Sequence, residues 1–248
     1  MSNTVYIFIA LIMLLLVISA CSMVVINPTA TPVPDQKILF IGNSFTFWND
    51  GLEYHMRRLV NSADSSFAIA ADATVMGGAP LEAIWHEGDA RQSISTGDYD
   101  IVVLQEDLPE TDVETFYEYA RKFDAEIKEK GATPVLFMAW PYEELGWISM
   151  EEIAEAHREM GAELGLAVAP AGLAWERAMA ERPRLDMYDT DKEHPSIHGT
   201  YLAVAVVYAT LYDKDPSGLT YRPRGINKEE AAFLQRIAWE SVQAYQVQ

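Results

Sequence analysis

Ser44, near the start of the chain, and the pair Asp191 and His194, near its end, are residues whose types and order could perform acyl transfer. A serine hydroxyl is a weak nucleophile until a base takes its proton during attack. His194 can be that base. Asp191, three positions earlier, can hold the imidazole in the tautomer that leaves its other nitrogen free to accept. Asp189 is the nearest alternative to Asp191. Each piece also has a plainer reading. Gly42-Asn43-Ser44 can simply cap a helix, and Asp191 with His194 can be a surface pair. Their order, serine first and the Asp/His pair last, is one in which hydrolase triads occur.

Acyl transfer also needs donors aimed at the oxygen of the tetrahedral intermediate, each contributing roughly 3 kcal/mol. The amide N–H groups of Ser44 and Gly78 are backbone candidates, with Gly77 as a substitute; Met76-Gly77-Gly78-Ala79 can equally be a tight turn. Asp189, Asp191, Glu193, His194 and His198 form a set of metal-ligating types. However, Pro195 suits the first turn of a helix, which places His194 before that helix and off the face of His198. There is no HExxH motif and no cysteine pair, so neither a metal nor another cofactor is expected.

Taken together, these blocks resemble the SGNH hydrolases, or GDSL-like esterases. Gly42-Asn43-Ser44 resembles the nucleophile block, Met76-Gly77-Gly78-Ala79 the oxyanion glycine block, and Asp191, His194 and Pro195 the closing Asp-x-x-His-Pro block. The resemblance spans about residues 37–212. The third block, usually Gly-x-Asn-Asp, falls on Val103-Leu104-Gln105-Glu106-Asp107 and departs from the pattern. Asp107 sits at the offset of the family's asparagine, but when ionised it only accepts hydrogen bonds. Some related carbohydrate acetylesterases carry Gln-Gly-Glu here, and Gln105-Glu106 resembles a trimmed form. The resemblance therefore implies that Gln105 completes the oxyanion hole. It further implies a carboxylic ester substrate, an acyl-enzyme intermediate and a small acyl group such as acetyl, on a glycan or a small molecule. A lysophospholipase or thioesterase of the same fold is an alternative. So is a surface lipoprotein that binds without catalysis, which the missing asparagine would favour.

The elements that must position these residues follow from periodicity. Lys37–Ile41 is an apolar run closed by Gly42, which reads as a buried parallel strand with Ser44 beyond its carboxyl end. Phe67–Val75, Asp100–Leu104, Thr133–Ala139 and Leu166–Ala169 read as further strands. Helices are expected over Leu52–Asn61, Leu81–His86, Val113–Lys130, Glu151–Leu164, Leu173–Ala180, Ile197–Tyr212 and Lys228–Ala244, with Thr111 capping the third. Ile197–Tyr212 is apolar nearly all round and should be buried. Alternating strands and helices predict a three-layer α/β/α sandwich around a parallel sheet of about five strands, the flavodoxin-like arrangement that the family resemblance also implies. Trp48, Trp85, Trp140 and Tyr142 fall near loop ends, where aromatics either line a pocket or fill the core.

Ahead of this domain, Val5–Ile18 is uninterrupted and apolar and ends in Ile18-Ser19-Ala20-Cys21. That ending resembles a bacterial lipobox, which would make Cys21 the lipid attachment site, although Ser2-Asn3-Thr4 supply no basic residue. The alternatives are secretion, or an uncleaved anchor over Val5–Ile26, since about 20 apolar residues span a bilayer. All three place the domain outside the cytoplasm, with the membrane as a partner through the amino terminus in the anchored cases. Residues 1–21 are thus expected to be a signal peptide with lipobox or an anchor, 22–36 a Pro/Thr-rich tether, and 37–248 the hydrolase domain. Cys21 is the sole cysteine, so no intrachain disulfide can form. The net charge of −19 argues against nucleic acid as a partner.

Overall fold

The computed structural model describes residues 33–144 and 146–247, of which Pro34 onward forms one compact unit. The lipobox and the anchor alternatives, including Cys21, lie outside the described residues. Among those described, no helix is long and apolar enough to cross a membrane.

The described strands form one parallel sheet. They are β1 (Gln36–Gly42), β2 (Ile69–Val75), β3 (Ile101–Gln105), β4 (Thr133–Phe137) and β5 (Ala167–Ala169), in the order β2-β1-β3-β4-β5. Nine α-helices lie among the described residues: α1 (Ser44–Phe47), α2 (Leu52–Ala63), α3 (Leu81–Glu87), α4 (Ala90–Thr96), α5 (Val113–Glu129), α6 (Met150–Leu164), α7 (Ala171–Glu181), α8 (Ile197–Tyr212) and α9 (Lys228–Gln246). The continuous apolar run of β1 serves both faces. Ile38 and Phe40 join the core under α2, α7, α8 and α9, while Leu39 and Ile41 join the one under α3, α5 and α6. A strand covered on both faces has no position where a polar side chain is favoured. This is the expected α/β/α sandwich.

Helix ends follow local chemistry. Ser149 and Glu152 form a reciprocal capping box at α6, and Asn227 and Glu230 do the same at α9. At α5 the cap is Asp112, which accepts from the Thr115 N–H at 2.8 Å, one residue later than the expected Thr111. A carboxylate caps at least as well as a threonine and adds a favourable interaction with the helix dipole. Two short helices escape the periodicity: α1, only four residues long, and α4, which buries just Ala90 and Ile94.

Candidate active site

β1 lies between β2 and β3, and the strand order reverses there, with β2 on one side and β3, β4 and β5 on the other. Such a switch point opens a crevice at the carboxyl ends of the strands. The residues singled out in sequence converge there. Ser44 follows β1, Gly78 follows β2, and Gln105 to Asp107 close β3.

Ser44 is the first residue of α1, and the turn before it is held from several directions. Asn43 caps the helix through Oδ1, which accepts from the Phe45 N–H at 3.0 Å. Its Nδ2 donates to Asp107 Oδ2 at 2.5 Å, and its backbone N–H donates to Gln105 Oε1 at 2.9 Å. Gly42 is needed because a Cβ there would lie 2.4 Å from both Gln105 Oε1 and Thr46 Oγ1. Ser44 is 6% exposed, and neither its hydroxyl nor its N–H is hydrogen-bonded to a described residue. Both are thus available to a ligand.

Across the crevice, Met76 donates its N–H to Gly42 O at 3.0 Å, which ties the glycine loop to the nucleophile turn. Gly78 has φ +66° and faces open space, with no atom within 4 Å of where a Cβ would be. Its N–H also has no partner among the described residues. The left-handed conformation favours glycine, and the open space lets a ligand reach the amide. Behind this loop, the fully buried Glu106 accepts from the N–H of Leu81 at 3.1 Å and of Asp107 at 2.8 Å. Burial pushes its carboxyl up to about 8, against the opposing pull of these two amides.

Gln105 stands differently from its expected role. It is 1% exposed. Its Oε1 accepts from the Asn43 N–H and from Thr46 Oγ1 at 3.0 Å, and its Nε2 donates to Glu106 O at 3.0 Å. The oxygen end, not the donor end, therefore faces the nucleophile turn. Its observed bonds brace that turn from beneath. Asp107 is equally buried, accepts from Asn43 and from Tyr142 Oη at 3.2 Å, and is pushed up to about 6 by burial, with further upward pressure from Glu110 and Glu193.

His194 reaches this place from the loop before α8. Its Nδ1 lies 2.8 Å from Asp191 Oδ2. Asp191 Oδ1 accepts from the backbone N–H groups of His194 at 2.9 Å and Glu193 at 3.1 Å. Burial pushes the Asp191 carboxyl up, but these bonds outweigh it and hold the group below the usual carboxylate range. A carboxylate at Nδ1 places the proton there and leaves Nε2 as the acceptor. Asp189 instead accepts from Trp48 Nε1 at 3.2 Å and from the Thr190 N–H at 2.7 Å. The His194 ring stacks on Trp48, with centroids 3.9 Å apart, and meets Phe45 edge-on at 6.1 Å. It therefore lies against the helix that begins at Ser44.

Asn49, not singled out in the sequence, bridges the two halves. Its Nδ2 donates to Pro195 O at 2.8 Å and Thr200 Oγ1 at 3.0 Å, and its φ is +52°. Asn49-Asp50-Gly51 carries a turn signal, but nothing local indicates a partner 146 residues away. Among the other aromatics, Trp140 is fully buried and stacks on Trp175 and Phe45, so it belongs to the core. Trp85 packs on Phe123, in the core on the other face of the sheet from Trp140. His198 lies 3.4 Å from Glu230 and donates its N–H to Ser196 Oγ, as a helix-start residue does. Among the described residues, no group of three or more His, Cys, Asp or Glu side chains is placed to hold a metal ion.

No family model matches the chain, and no curated protein matches it in sequence. Solved structures do match. A DUF4886 family protein from Bacteroides uniformis superposes with a TM-score of 0.67 at 18% identity, covering 84% of this chain and 95% of that one. A protein from Slackia heliotrinireducens described as a putative SGNH hydrolase gives a TM-score of 0.58 at 24% identity, covering 71% and 98%. An acetylxylan esterase from Geobacillus stearothermophilus gives 0.59 at 15%, covering 72% and 95%. At these identities the likeness is one of fold. The chain shares its fold with the putative SGNH hydrolase and with the acetylxylan esterase.

Proposed function

We propose that the chain is an extracytoplasmic serine esterase that hydrolyses a carboxylic ester through an acyl-enzyme. The observation that carries this reading is the oriented imidazole of His194, bonded through Nδ1 to Asp191 and stacked on the helix that Ser44 begins. In the proposed reaction, Ser44 Oγ attacks the ester carbonyl as His194 Nε2 takes the hydroxyl proton. The unpaired N–H groups of Ser44 and Gly78 receive the oxyanion. His194 then gives its proton to the departing alcohol, and water repeats the sequence to release the acid. Asp191 orients the base, and Gln105 acts as a brace of the turn.

The fold shared with an acetylxylan esterase supports an acetylated glycan as the substrate class. A longer acyl group, as in a lysophospholipase or thioesterase, is favoured by one observation. Phe47 and Val75, at 38% and 36% exposure, present apolar surface beside Ser44 and the Gly77 loop. The lipobox reading of Cys21 supports attachment to a membrane surface.

Labelling with a fluorophosphonate probe tests the chemistry. Wild type should label and Ser44→Ala should not, with an unchanged melting temperature. Absence of labelling in wild type would leave a binding protein, and labelling of the variant would remove Ser44 from the mechanism. A panel of acetyl, butyryl and octanoyl esters then sets the acyl length. In a host that processes lipoproteins, Cys21→Ser should abolish fatty-acid incorporation; incorporation equal to wild type would dismiss the lipobox.

A further inference from the structure

Asn43 is the pivot of the nucleophile turn, and its side chain has no spare freedom. Oδ1 caps α1, and Nδ2 is held by Asp107. Asp107 is in turn surrounded. Asn43 faces it from the start of α1, Tyr142 from the loop after β4, Glu110 from the 3-10 turn (Leu108–Glu110), Glu193 from the His194 loop, and Glu106 is its neighbour in sequence. Tyr142 Oη lies 3.2 Å from Asp107 Oδ2 and 3.1 Å from Glu110 Oε1. One phenol hydrogen cannot serve two carboxylates, so satisfying both contacts requires an additional proton in the cluster.

We propose that Asp107 is a positioning residue that, through Asn43, fixes how Ser44 and its N–H are presented to the ester, and that the ionised form does so best. The proposal rests on the serine-esterase reading above. As a carboxylate, Asp107 accepts from Asn43 and Tyr142 together, in charge-assisted bonds about twice as strong as neutral ones. Once protonated, its new O–H must donate, and Tyr142 Oη is the acceptor at hand. The Tyr142 hydrogen then turns to Glu110, and Asn43 keeps only a neutral partner. The proton of this exchange comes from solvent and returns to it. Burial and the neighbouring acids place the exchange near pH 6. Loosening at Asn43 should lower kcat rather than raise KM, because it disturbs groups that act in the transition state.

The test follows kcat and KM from pH 4.5 to 9 for wild type, Asp107→Asn, Asp107→Ala, Asn43→Ala and the double alanine variant, after labelling has confirmed the wild-type nucleophile. Asp107→Asn retains an acceptor for Asn43 but no charge, and should lower kcat about tenfold with little change in KM. Asp107→Ala should lower kcat about 100-fold. The double variant should be no worse than Asn43→Ala alone, since both act through one contact. Below pH 6, wild type should lose activity through the ionisation of Asp107, a loss that Asp107→Asn should lack. An Asp107→Ala variant with wild-type kcat, additive losses in the double variant, or an unchanged acid limb in Asp107→Asn would each overturn the assignment. Failure of wild type to label would overturn it together with the esterase reading.

Discussion

The imidazole of His194 lies flat on the indole of Trp48, with ring centroids 3.9 Å apart and planes 17° from parallel. Trp48 is also the C-cap of α1, and its N–H donates to Ser44 O at 2.9 Å. One residue therefore fixes the serine by its backbone and the histidine by its ring. Its Nε1 adds a bond to Asp189, which anchors the loop that carries His194. Trp48→Ala should lower kcat roughly 100-fold, the cost of a misplaced base, while the melting temperature changes little. Trp48→Phe keeps a flat partner and should recover most of that loss. Steady-state kinetics on both variants decides it, and equal losses would show that stacking is not what Trp48 contributes.

The two aspartates of the His194 loop have separate jobs and should separate in kinetics. Asp191 holds Nδ1, and its replacement by asparagine would reverse the preferred tautomer. Asp191→Asn should therefore lower kcat by about 10⁴ at pH 7. Asp189 touches Trp48 and the loop backbone, so Asp189→Asn, which can still accept from Trp48 Nε1, should cost less than about tenfold. Reversed ranking of the two variants would exchange their roles.

Gln105 distinguishes a brace from a donor. Its Oε1 receives two buried hydrogen bonds, so Gln105→Ala leaves the Asn43 N–H and Thr46 Oγ1 without that acceptor and opens space under Gly42. An orphaned buried donor costs about 1–3 kcal/mol, which should appear as a melting temperature lowered by several degrees. Thermal denaturation alongside kcat measures both. A variant with wild-type stability and a kcat lowered about 100-fold would instead restore Gln105 as an oxyanion donor.

How far the sequence reached depends on the range of the forces involved. α8 was expected over Ile197–Tyr212 and is observed there, because a helix buried on all sides writes its apolar character into every position. The β1 strand and the turn after it were legible for a similar reason, an apolar run stopped by Gly42. α4 was not, since Ala90 and Ile94 alone mark no stripe. At the site, spacing placed Gln105, Glu106 and Asp107 at a strand end but could not say which atom of each points where. Gln105 turns its oxygen to the turn because the Asn43 N–H and Thr46 arrive from 62 and 59 residues away. Glu106 meets the Leu81 N–H in the same manner. Such roles arise only when the sheet order brings β1, β2 and β3 side by side.

Glu106 supplies a last test, of stability rather than rate. Its carboxyl is fully buried and raised from 4.5 to about 8, with desolvation the main cause. The folded state therefore binds this proton more tightly than the unfolded chain does. The associated stability is present at pH below 4.5 and is lost progressively as pH rises through about 8, where the buried group must ionise. Asp107 adds a change of the same sign between 3.8 and about 6. Glu106→Gln keeps an oxygen to accept from Leu81 and Asp107 but has no proton to lose. Relative to wild type, its melting temperature should therefore rise by at least about 3 °C between pH 5 and pH 9. Comparing the variant with wild type at each pH cancels the titration of the remaining acids and histidines. Glu106→Ala, which removes the acceptor altogether, should be destabilised at every pH, because two buried amides lose their partner. Parallel melting curves for wild type and Glu106→Gln across this range would mean that Glu106 titrates alike in the folded and unfolded chain, and that its grip on the glycine loop does not depend on its charge.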